Sequence, residues 1–205
     1  MSTHQGTAVV TGASSGIGAV YADRLAARGH DLILVARRLD RLQALAQRLR
    51  DDHGRQVEVV AADLADAAGL QRVEALLSGE RDIRMLVNCA GLGALGPAAQ
   101  VDAREVDRLV MVNIHALTRL SLAAARLFAT RGRGTLINIG SILALMPLPG
   151  ASSYSASKAY VLSFSQALRE ELKRTGIKVS VLCPGPVRSA RRRIARLDGK
   201  PRCLS

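Results

Sequence analysis

Short, mostly apolar runs alternate with longer amphipathic stretches along most of the chain. The apolar runs are rich in β-branched residues, which is typical of parallel strands covered on both faces. They begin at Thr7 (TAVV), Asp31 (DLILVA), Val57 (VEVVA), Met85 (MLVN), Thr135 (TLINI) and Lys178 (KVSVLC). Helical periodicity is predicted over Gly16–Arg28, Leu39–Arg50, Leu70–Leu77, Ala103–Phe128 and Ser152–Arg174.

The regular alternation of strand and helix, joined by short glycine-containing turns, predicts an α/β fold with a doubly wound parallel sheet in three α/β/α layers. No internal repeat, linker or low-complexity block precedes residue 188. We therefore expect a single domain over residues 1–187. The strand pattern ends at the turn PGPV, so the sheet is expected to have a truncated C-terminal edge, followed by a basic tail over residues 188–205.

A glycine-rich turn, TGASSGIG, follows the first strand and opens the first helix. Glycines at 12, 16 and 18 permit a tight turn and a close approach of the backbone to a ligand. The new helix directs free N–H groups and its positive dipole end to that place, which favours a pyrophosphate. Ordinary loops also contain such glycines, but the position at the first strand-to-helix crossing favours a Rossmann-like dinucleotide-binding domain.

The second strand ends in VARR, which places Arg37 and Arg38 where an NAD-preferring site would have a carboxylate for the ribose 2′-hydroxyl. A guanidinium group suits a 2′-phosphate instead. The alternative is a solvated basic helix start. The pattern favours NADP(H) over NAD(H) as the cofactor.

The pentapeptide YSASK places Tyr154 and Lys158 four residues apart, on one face of a predicted helix. An ammonium about 4 Å away supplies about 4 kcal/mol at an effective dielectric constant of ~20, enough to lower the pKa of a tyrosine from ~10 by about two to three units. The small residues between them leave room for a flat cofactor ring. The alternative is a surface Tyr–Lys pair, because this spacing alone is common.

Six motifs occur in the order TGASSGIG, NCAG, VNIHA, NIGSILA, YSASK and PGPV. In this order and at these separations the chain resembles the short-chain dehydrogenase/reductase family over nearly all of Thr7–Val187. The resemblance implies that Tyr154 is the general acid/base and that Lys158 lowers its pKa and holds the nicotinamide ribose. It also implies that Ser141 binds the substrate oxygen and that Asn113 carries a water-linked proton relay to Lys158.

The same resemblance implies contacts to each part of the cofactor. The turn around the pyrophosphate would comprise Gly12, Ser14, Ser15, Gly16, Ile17 and Gly18. The adenosine half would meet Asp63, Leu64, Asn88, Ala90 and Gly91, and the nicotinamide half would meet Tyr154, Lys158, Pro184, Gly185 and Val187. The implied activity is hydride transfer between NADP(H) and an alcohol/carbonyl pair such as a ketone, a sugar or a 3-oxoacyl thioester.

The sequence departs from the family after PGPV, where relatives continue with a threonine, a helical lid over the substrate, another helix and a final strand. Here Ser189 takes the place of the threonine and an arginine-rich segment follows. We expect cofactor binding with reduced or absent turnover, and a catalytically impaired NADP-binding sensor or scaffold is the alternative to an active enzyme. The missing lid also leaves the substrate unnamed.

Half of the net charge of +12 lies in that last segment. Seven basic residues and a single acidic one, Asp198, give residues 188–205 a net charge of +6. Three interpretations remain open: a solvated disordered end, a frame-changed or truncated C-terminus, and a site for phosphate-rich partners. No aromatic residue lies among the arginines, so base stacking is not offered and nucleic acid is not an expected partner.

The remaining features exclude several classes of protein. Three widely spaced cysteines, Cys89, Cys183 and Cys203, predict neither a disulfide framework nor a zinc site, and no other metal is expected. No apolar run reaches the ~20 residues that span a bilayer, so a soluble cytoplasmic protein without a membrane partner is expected. The two longest helices are apolar on one face, and by resemblance to the family we expect them to pair in a homodimer.

Overall fold

A computed structural model describes residues 4–79 and 81–186 of the chain. The expectations for Val187, Cys203 and the basic segment 188–205 lie outside the described residues. The strands are β1 (Thr7–Thr11), β2 (Asp31–Ala36), β3 (Val57–Ala61), β4 (Ile83–Asn88), β5 (Gly134–Ile139) and β6 (Ile177–Leu182). The α-helices are α1 (Gly16–Ala27), α2 (Leu39–His53), α3 (Ala67–Leu76), α4 (Ala103–Val110), α5 (Leu117–Arg131) and α6 (Ser152–Glu171).

The six strands form one parallel sheet in the order β3-β2-β1-β4-β5-β6. The chain moves outward from β1 to β3, returns to the centre at β4 and then moves outward in the other direction. This reversal places the carboxyl ends of β1 and β4 side by side, which is where ligands bind in open α/β sheets. The Rossmann-like doubly wound α/β fold predicted from the sequence is confirmed.

Both faces of the sheet are covered, which explains the continuously apolar strands. On one face Ile33 and Leu86 pack in a core cluster with Phe128 of α5. On the other face Leu32 and Leu34, which alternate with Ile33 along β2, pack with residues of α1 and α2. Because neighbouring side chains on a strand point to opposite faces, each of these residues is buried against a different helical layer.

The prediction of a single uninterrupted helix over Ala103–Phe128 is wrong in one respect. A π-helical segment, Met111–Ala116, separates α4 from α5. Asn113 lies inside this segment, and its amide binds the backbone of Leu92 on the loop after β4. π-Turns of this kind are frequent at functional sites, and hydrophobic periodicity does not reveal them because the flanking turns keep their apolar faces.

The other boundaries differ from the predicted ones by a few residues. Helix α3 begins at Ala67, three residues before the predicted start, because the side chain of Asp66 caps it by accepting the N–H of Gly69 at 3.0 Å. Helix α6 ends at Glu171, before the predicted end at Arg174. Within residues 4–79 and 81–186, no helix combines the length and the apolar character needed to cross a membrane.

Candidate active site and cofactor cleft

The glycine-rich turn packs tightly against the carboxyl end of β4. Gly12 has a φ of 69°, and a Cβ there would lie 2.8 Å from the backbone nitrogen of Ala90. A Cβ on Gly18 would lie 2.5 Å from the carbonyl oxygen of Gly12. Both positions therefore require glycine, one for its backbone conformation and both for space. The N-cap residue Ser15 makes no side-chain cap, so the first N–H groups of α1 face the cleft without one.

The turn and the neighbouring strand ends line an open cleft at the carboxyl edge of the sheet. Its walls come from β1, β2, β3 and β4 and from the π-helical segment. The lining residues are Gly12, Ser14, Val35, Ala36, Arg37, Arg38, Ala62, Asp63, Leu64, Ala90, Gly91, Leu92 and Val112. The cleft therefore brings together most of the residues predicted for the adenosine half of a dinucleotide.

Arginine side chains stand at the rim of this cleft. One guanidinium nitrogen of Arg38 donates to the hydroxyl oxygens of Ser14 and Ser15, at 3.1 and 3.2 Å. These bonds hold the cation, at the start of α2, against the glycine-rich turn. The guanidinium of Arg37 lies 3.9 Å from a carboxylate oxygen of Asp63. Two cations at this corner give the cleft the charge that a phosphate needs.

Asp63 lies between two arginines, Arg37 just after β2 and Arg108 in α4. One of its oxygens accepts the N–H of Ala65 at 3.0 Å, and the other accepts a bond from Arg108 of α4 at 2.8 Å. Partial burial raises the pKa of Asp63, but the hydrogen bonds from Ala65 and Arg108 and the charges of Arg108 and Arg37 outweigh it, so the pKa lies below its usual value. Sequence reasoning did not find Arg108, because no local pattern connects α4 with Asp63.

Asn88 is turned away from the cleft, into a buried polar network. Its Nδ2 donates to Ser121 and to Oδ1 of Asn138, each at 3.0 Å. The Nδ2 of Asn138 in turn donates to Ser165 of α6 at 2.9 Å. The network links β4, β5, α5 and α6 behind the site, so Asn88 supports the site through its neighbours. Sequence reasoning missed Asn138, although its place three residues before Ser141 in NIGS was a usable signal.

Thr11 joins the ends of the two central strands. Its hydroxyl oxygen accepts the N–H groups of Cys89 and Ala90, at 3.0 and 3.1 Å, and its own proton points to the carbonyl of Val87 at 3.4 Å. These bonds fix the NCAG loop against the glycine-rich turn. The geometry of the cleft therefore depends on Thr11, a residue that sequence reasoning did not single out.

Lys158 is the most strongly perturbed charge near the site. Its side chain is 5% exposed, and its ammonium donates to the carbonyl oxygen of Ile139 at the end of β5, at 2.7 Å. Burial lowers the pKa of Lys158 to about 8, against a smaller opposing effect of Cys89 and Cys183. The ammonium lies 5.7 Å from the centre of the Tyr154 ring. The helix α6 thus brings both side chains to the carboxyl ends of β4 and β5.

Asn113 holds the loop after β4 in place beside this lysine. Its Oδ1 accepts the N–H of Leu92 at 2.8 Å, and its Nδ2 donates to the carbonyl of Leu92 at 2.9 Å and to Ser157 at 3.0 Å. A Cβ on Gly91 would lie 3.5 Å from Asn113 Oδ1 and 3.6 Å from Lys158 Nζ. Asn113 and Lys158 therefore both lie next to Gly91.

Ser141 and Tyr154 stand on the two segments that border the site. Ser141 follows β5 and is largely buried, and its Oγ accepts the N–H of Leu143 at 3.2 Å in a short 3₁₀ turn, Ile142–Ala144. Tyr154 lies in the first turn of α6 and is half-buried. The loop after β6 approaches the same turn, since the carbonyl of Pro184 accepts the N–H of Ile142 at 3.0 Å. A Cβ on Gly185 would meet no atom within 4 Å.

The whole described site falls within one family match. Residues 6–198 match the family described as short chain dehydrogenase. The chain belongs to the short-chain dehydrogenase family. The fold is thus that of a short-chain dehydrogenase.

Two solved structures are similar to this chain. One is a short-chain dehydrogenase from Sphingobium yanoikuyae in complex with NADPH, with a TM-score of 0.88 and 47% identity over 90% of this chain and 72% of that one. The other is a bulky-bulky ketone specific alcohol dehydrogenase from Comamonas testosteroni, with a TM-score of 0.87 and 45% identity over 89% of this chain and 74% of that one.

A human relative is longer than this chain. The human 17-beta-hydroxysteroid dehydrogenase type 3 is 37% identical over 185 residues. The match covers 89% of this chain and 59% of the human protein. The chain therefore spans less than two thirds of the length of that relative.

The residues of the cleft fit a phosphate-bearing dinucleotide. The N-terminus of α1 has no side-chain cap, no acidic residue lies in its first turn, and Arg38 is held beside it by two serine hydroxyls. An anion would accept hydrogen bonds from these donors. At the other end of the site, the buried ammonium of Lys158 has no carboxylate partner among the described residues, so it has donor capacity for ribose hydroxyls.

Proposed function

We propose that the protein is an NADP-dependent oxidoreductase that interconverts an alcohol and a carbonyl compound. The observation that carries this proposal is the placement of Lys158, whose buried ammonium lies under the Tyr154 ring and beside Asn113 at the carboxyl ends of β4 and β5. A buried cation next to a phenol at a nucleotide cleft is an arrangement for moving protons. The NADPH complex of the Sphingobium relative and the names of the other relatives support the same class of reaction.

In this proposal Tyr154 exchanges the proton of the substrate oxygen. The ammonium of Lys158 lies 5.7 Å from the centre of the Tyr154 ring, and the carbonyl of Ile139 fixes the position of that ammonium. Ser141 donates to the substrate oxygen and orients it, which contributes through positioning. Asn113 fixes the Leu92 carbonyl and amide beside Lys158, so that a water-linked path can return the proton to solvent.

NADP(H) would be held along the cleft and would supply or accept the hydride when bound. The glycine-rich turn from Gly12 to Gly18 would hold the pyrophosphate, and Arg37 and Arg38 the 2′-phosphate. Asp63, Leu64, Ala90 and Gly91 would contact the adenosine, while Asn88 acts from the buried network behind them. Lys158 would hold the nicotinamide ribose, with Pro184, Gly185 and Val187 at the nicotinamide amide. Asp63 is already engaged by Arg108, so a 2′-phosphate would meet arginines on both sides of that carboxylate.

A fluorescence titration with NADPH and NADH, followed by turnover on a panel of ketones and acyl thioesters, tests the proposal. We expect tighter binding of NADPH and oxidation of NADPH with at least one class of carbonyl compound. Binding of NADPH without any turnover would contradict the catalytic part and leave the sensor interpretation. Absence of NADPH binding would contradict the proposal as a whole.

We also propose that the protein is a homodimer through α5 and α6. The outer faces of these helices are joined by a hydrogen bond between Thr118 and the Tyr160 hydroxyl at 2.9 Å and carry a stacked Tyr160–Phe164 pair. Leu122 and Tyr160 are each 37% exposed there. Such an apolar face is suited to a second copy of the chain. Light scattering at micromolar concentration should give twice 21.8 kDa, and a monomeric mass would contradict it.

A further inference from the structure

Two loops that border the candidate active site carry no charged side chain. The loop after β4, residues 89–101, reads CAGLGALGPAAQV, and the loop after β5, residues 140–151, reads GSILALMPLPGA. In a chain that is 22% charged, these two loops contain neither an acidic nor a basic residue. Whatever approaches Ser141 and Tyr154 along these loops meets apolar surface and backbone.

The loops expose four large apolar side chains, which we call the apolar rim. Leu95 is 59% exposed on the loop after β4, and Leu145, Met146 and Leu148 are 63%, 63% and 53% exposed on the loop after β5. The N–H of Gly96 donates to the carbonyl of Gly150 at 2.8 Å and ties the two loops together. The two loops that carry the apolar rim are therefore joined to each other next to Leu95 and near Leu148.

The apolar rim is continuous with the proposed catalytic residues. The loop after β5 begins at Ser141, and within it the N–H of Met146 donates to the carbonyl of Ile142. Its end is fixed by the bond from Ala151 to Leu148, immediately before α6 and Tyr154. The loop after β4 is pinned at Leu92 by the Asn113 side chain. Substrate groups on either side of a carbonyl held at Ser141 would therefore reach the rim.

A groove beside the apolar rim is also lined mainly by uncharged side chains. Small side chains from the loop after β4 face the start of α6, and Asp107 of α4 contributes the one charge among its lining residues. That charge is negative. The nearest cation on α6 is the ammonium of Lys158, which is buried and bound to Ile139. The residues that line the groove thus offer mainly hydrocarbon contact and include no cation that could pair with an anionic group.

We propose that the substrate is an uncharged ketone with large hydrocarbon groups, or the corresponding secondary alcohol. This inference rests on the proposed function and names its substrate class. In the reaction the carbonyl carbon gains a hydride and the oxygen gains a proton, while NADPH is oxidised to NADP⁺. Contact with the apolar rim removes hydrocarbon surface from water, whereas a carboxylate or phosphate would lose hydration without gaining a cation.

A matched pair of ketones tests this. Acetophenone and 4-acetylbenzoate have the same ring and carbonyl, and they differ by one carboxylate. With saturating NADPH we expect kcat/KM to be at least about tenfold higher for acetophenone, as expected when a charge is desolvated without a partner. Equal values, or a preference for 4-acetylbenzoate, would overturn the substrate class and leave the oxidoreductase proposal intact.

Two variants sharpen the test. Leu148→Lys places a cation on the apolar rim and should shift the ratio of the two kcat/KM values toward 4-acetylbenzoate by about tenfold. Val20→Lys is the matched control. Val20 is 57% exposed on α1, so this substitution adds the same charge away from the apolar rim. The same ratio in both variants would contradict the assignment of the rim to the substrate.

A binding measurement separates this inference from the proposed function. If no carbonyl compound is reduced, the proposed function fails, and the affinity of each ketone for the NADPH complex then decides the inference. Quenching of bound NADPH fluorescence at lower concentrations of acetophenone than of 4-acetylbenzoate supports the substrate class. Equal or tighter binding of 4-acetylbenzoate overturns it.

Discussion

The ammonium of Lys158 is bound to the carbonyl oxygen of Ile139 at 2.7 Å, at the point where β5 ends. This contact joins the helix that carries Tyr154 to the sheet that forms the cleft. The lysine is nine-tenths or more buried, and within the described residues no carboxylate neutralises it. Its charge is therefore costly to the folded protein and available to a ligand.

The first prediction concerns stability as a function of pH. In the unfolded chain a lysine keeps its proton up to a pKa of about 10.4, whereas in the folded protein Lys158 loses it at about 8. Between these values the unfolded state binds more protons, so stability rises with pH through this window and the full cost of the buried charge applies below it. Urea denaturation without cofactor should show this rise in the native chain and not in Lys158→Met.

The size of that effect can be estimated. The cost of the buried charge is about 3 kcal/mol near pH 7 and roughly 1 kcal/mol near pH 10, so the difference between the two chains should change by about 2 kcal/mol. Lys178→Met is the matched control, because Lys178 is exposed on β6. A native chain whose stability is flat between about pH 7 and 10 relative to Lys158→Met would contradict the prediction.

The second prediction concerns the choice of cofactor. Arg38→Ala removes the guanidinium that Ser14 and Ser15 hold beside the glycine-rich turn. We expect the Kd for NADPH to rise by about 10- to 100-fold, since a charge-assisted contact contributes about 1.5–3 kcal/mol, and the Kd for NADH to change little. Arg41→Ala, on the exposed side of α2, is the control. An equal loss of affinity for NADPH and NADH would indicate that Arg38 has a structural role and does not select the cofactor.

The third prediction concerns the close approach of the glycine-rich turn to β4. Gly12→Ala should cost about 1–2 kcal/mol for its left-handed conformation and about 1–3 kcal/mol more for the contact with Ala90. Gly54→Ala has a similar φ of 62° and no atom within 4 Å of the new Cβ, so it should show the first cost alone. Thermal or urea denaturation of both variants measures the difference. Equal destabilisation would mean that the clash is relieved at no cost.

Much of the fold could be predicted because the apolar runs report burial on both faces. The strands β1 to β6 follow from that pattern, and the ends of helices differ by a few residues where caps such as Asp66 decide them. The π-helical segment around Asn113 could not be predicted, because it depends on a contact with Leu92, 21 residues earlier in the chain.

Proximity within the site could be predicted where the residues of one motif lie close together in the sequence. Tyr154 and Lys158 share a short segment, so their proximity follows from helix geometry alone. The pairing of Arg108 with Asp63 and the bond between Asn88 and Asn138 join residues 45 and 50 positions apart, and only the packed sheet brings them together. For the same reason the sequence gives no sign that Asn88 faces a buried network and not the cleft.

The most direct test of the account is the turnover of Tyr154→Phe with NADPH and a neutral ketone. We expect a loss of kcat of about 10²-fold or more, as for the loss of a general acid, with an unchanged Kd for NADPH. Tyr160→Phe, on the outer face of the same helix, should keep the native rate. A Tyr154→Phe protein that reduces the ketone at the native rate would contradict the account.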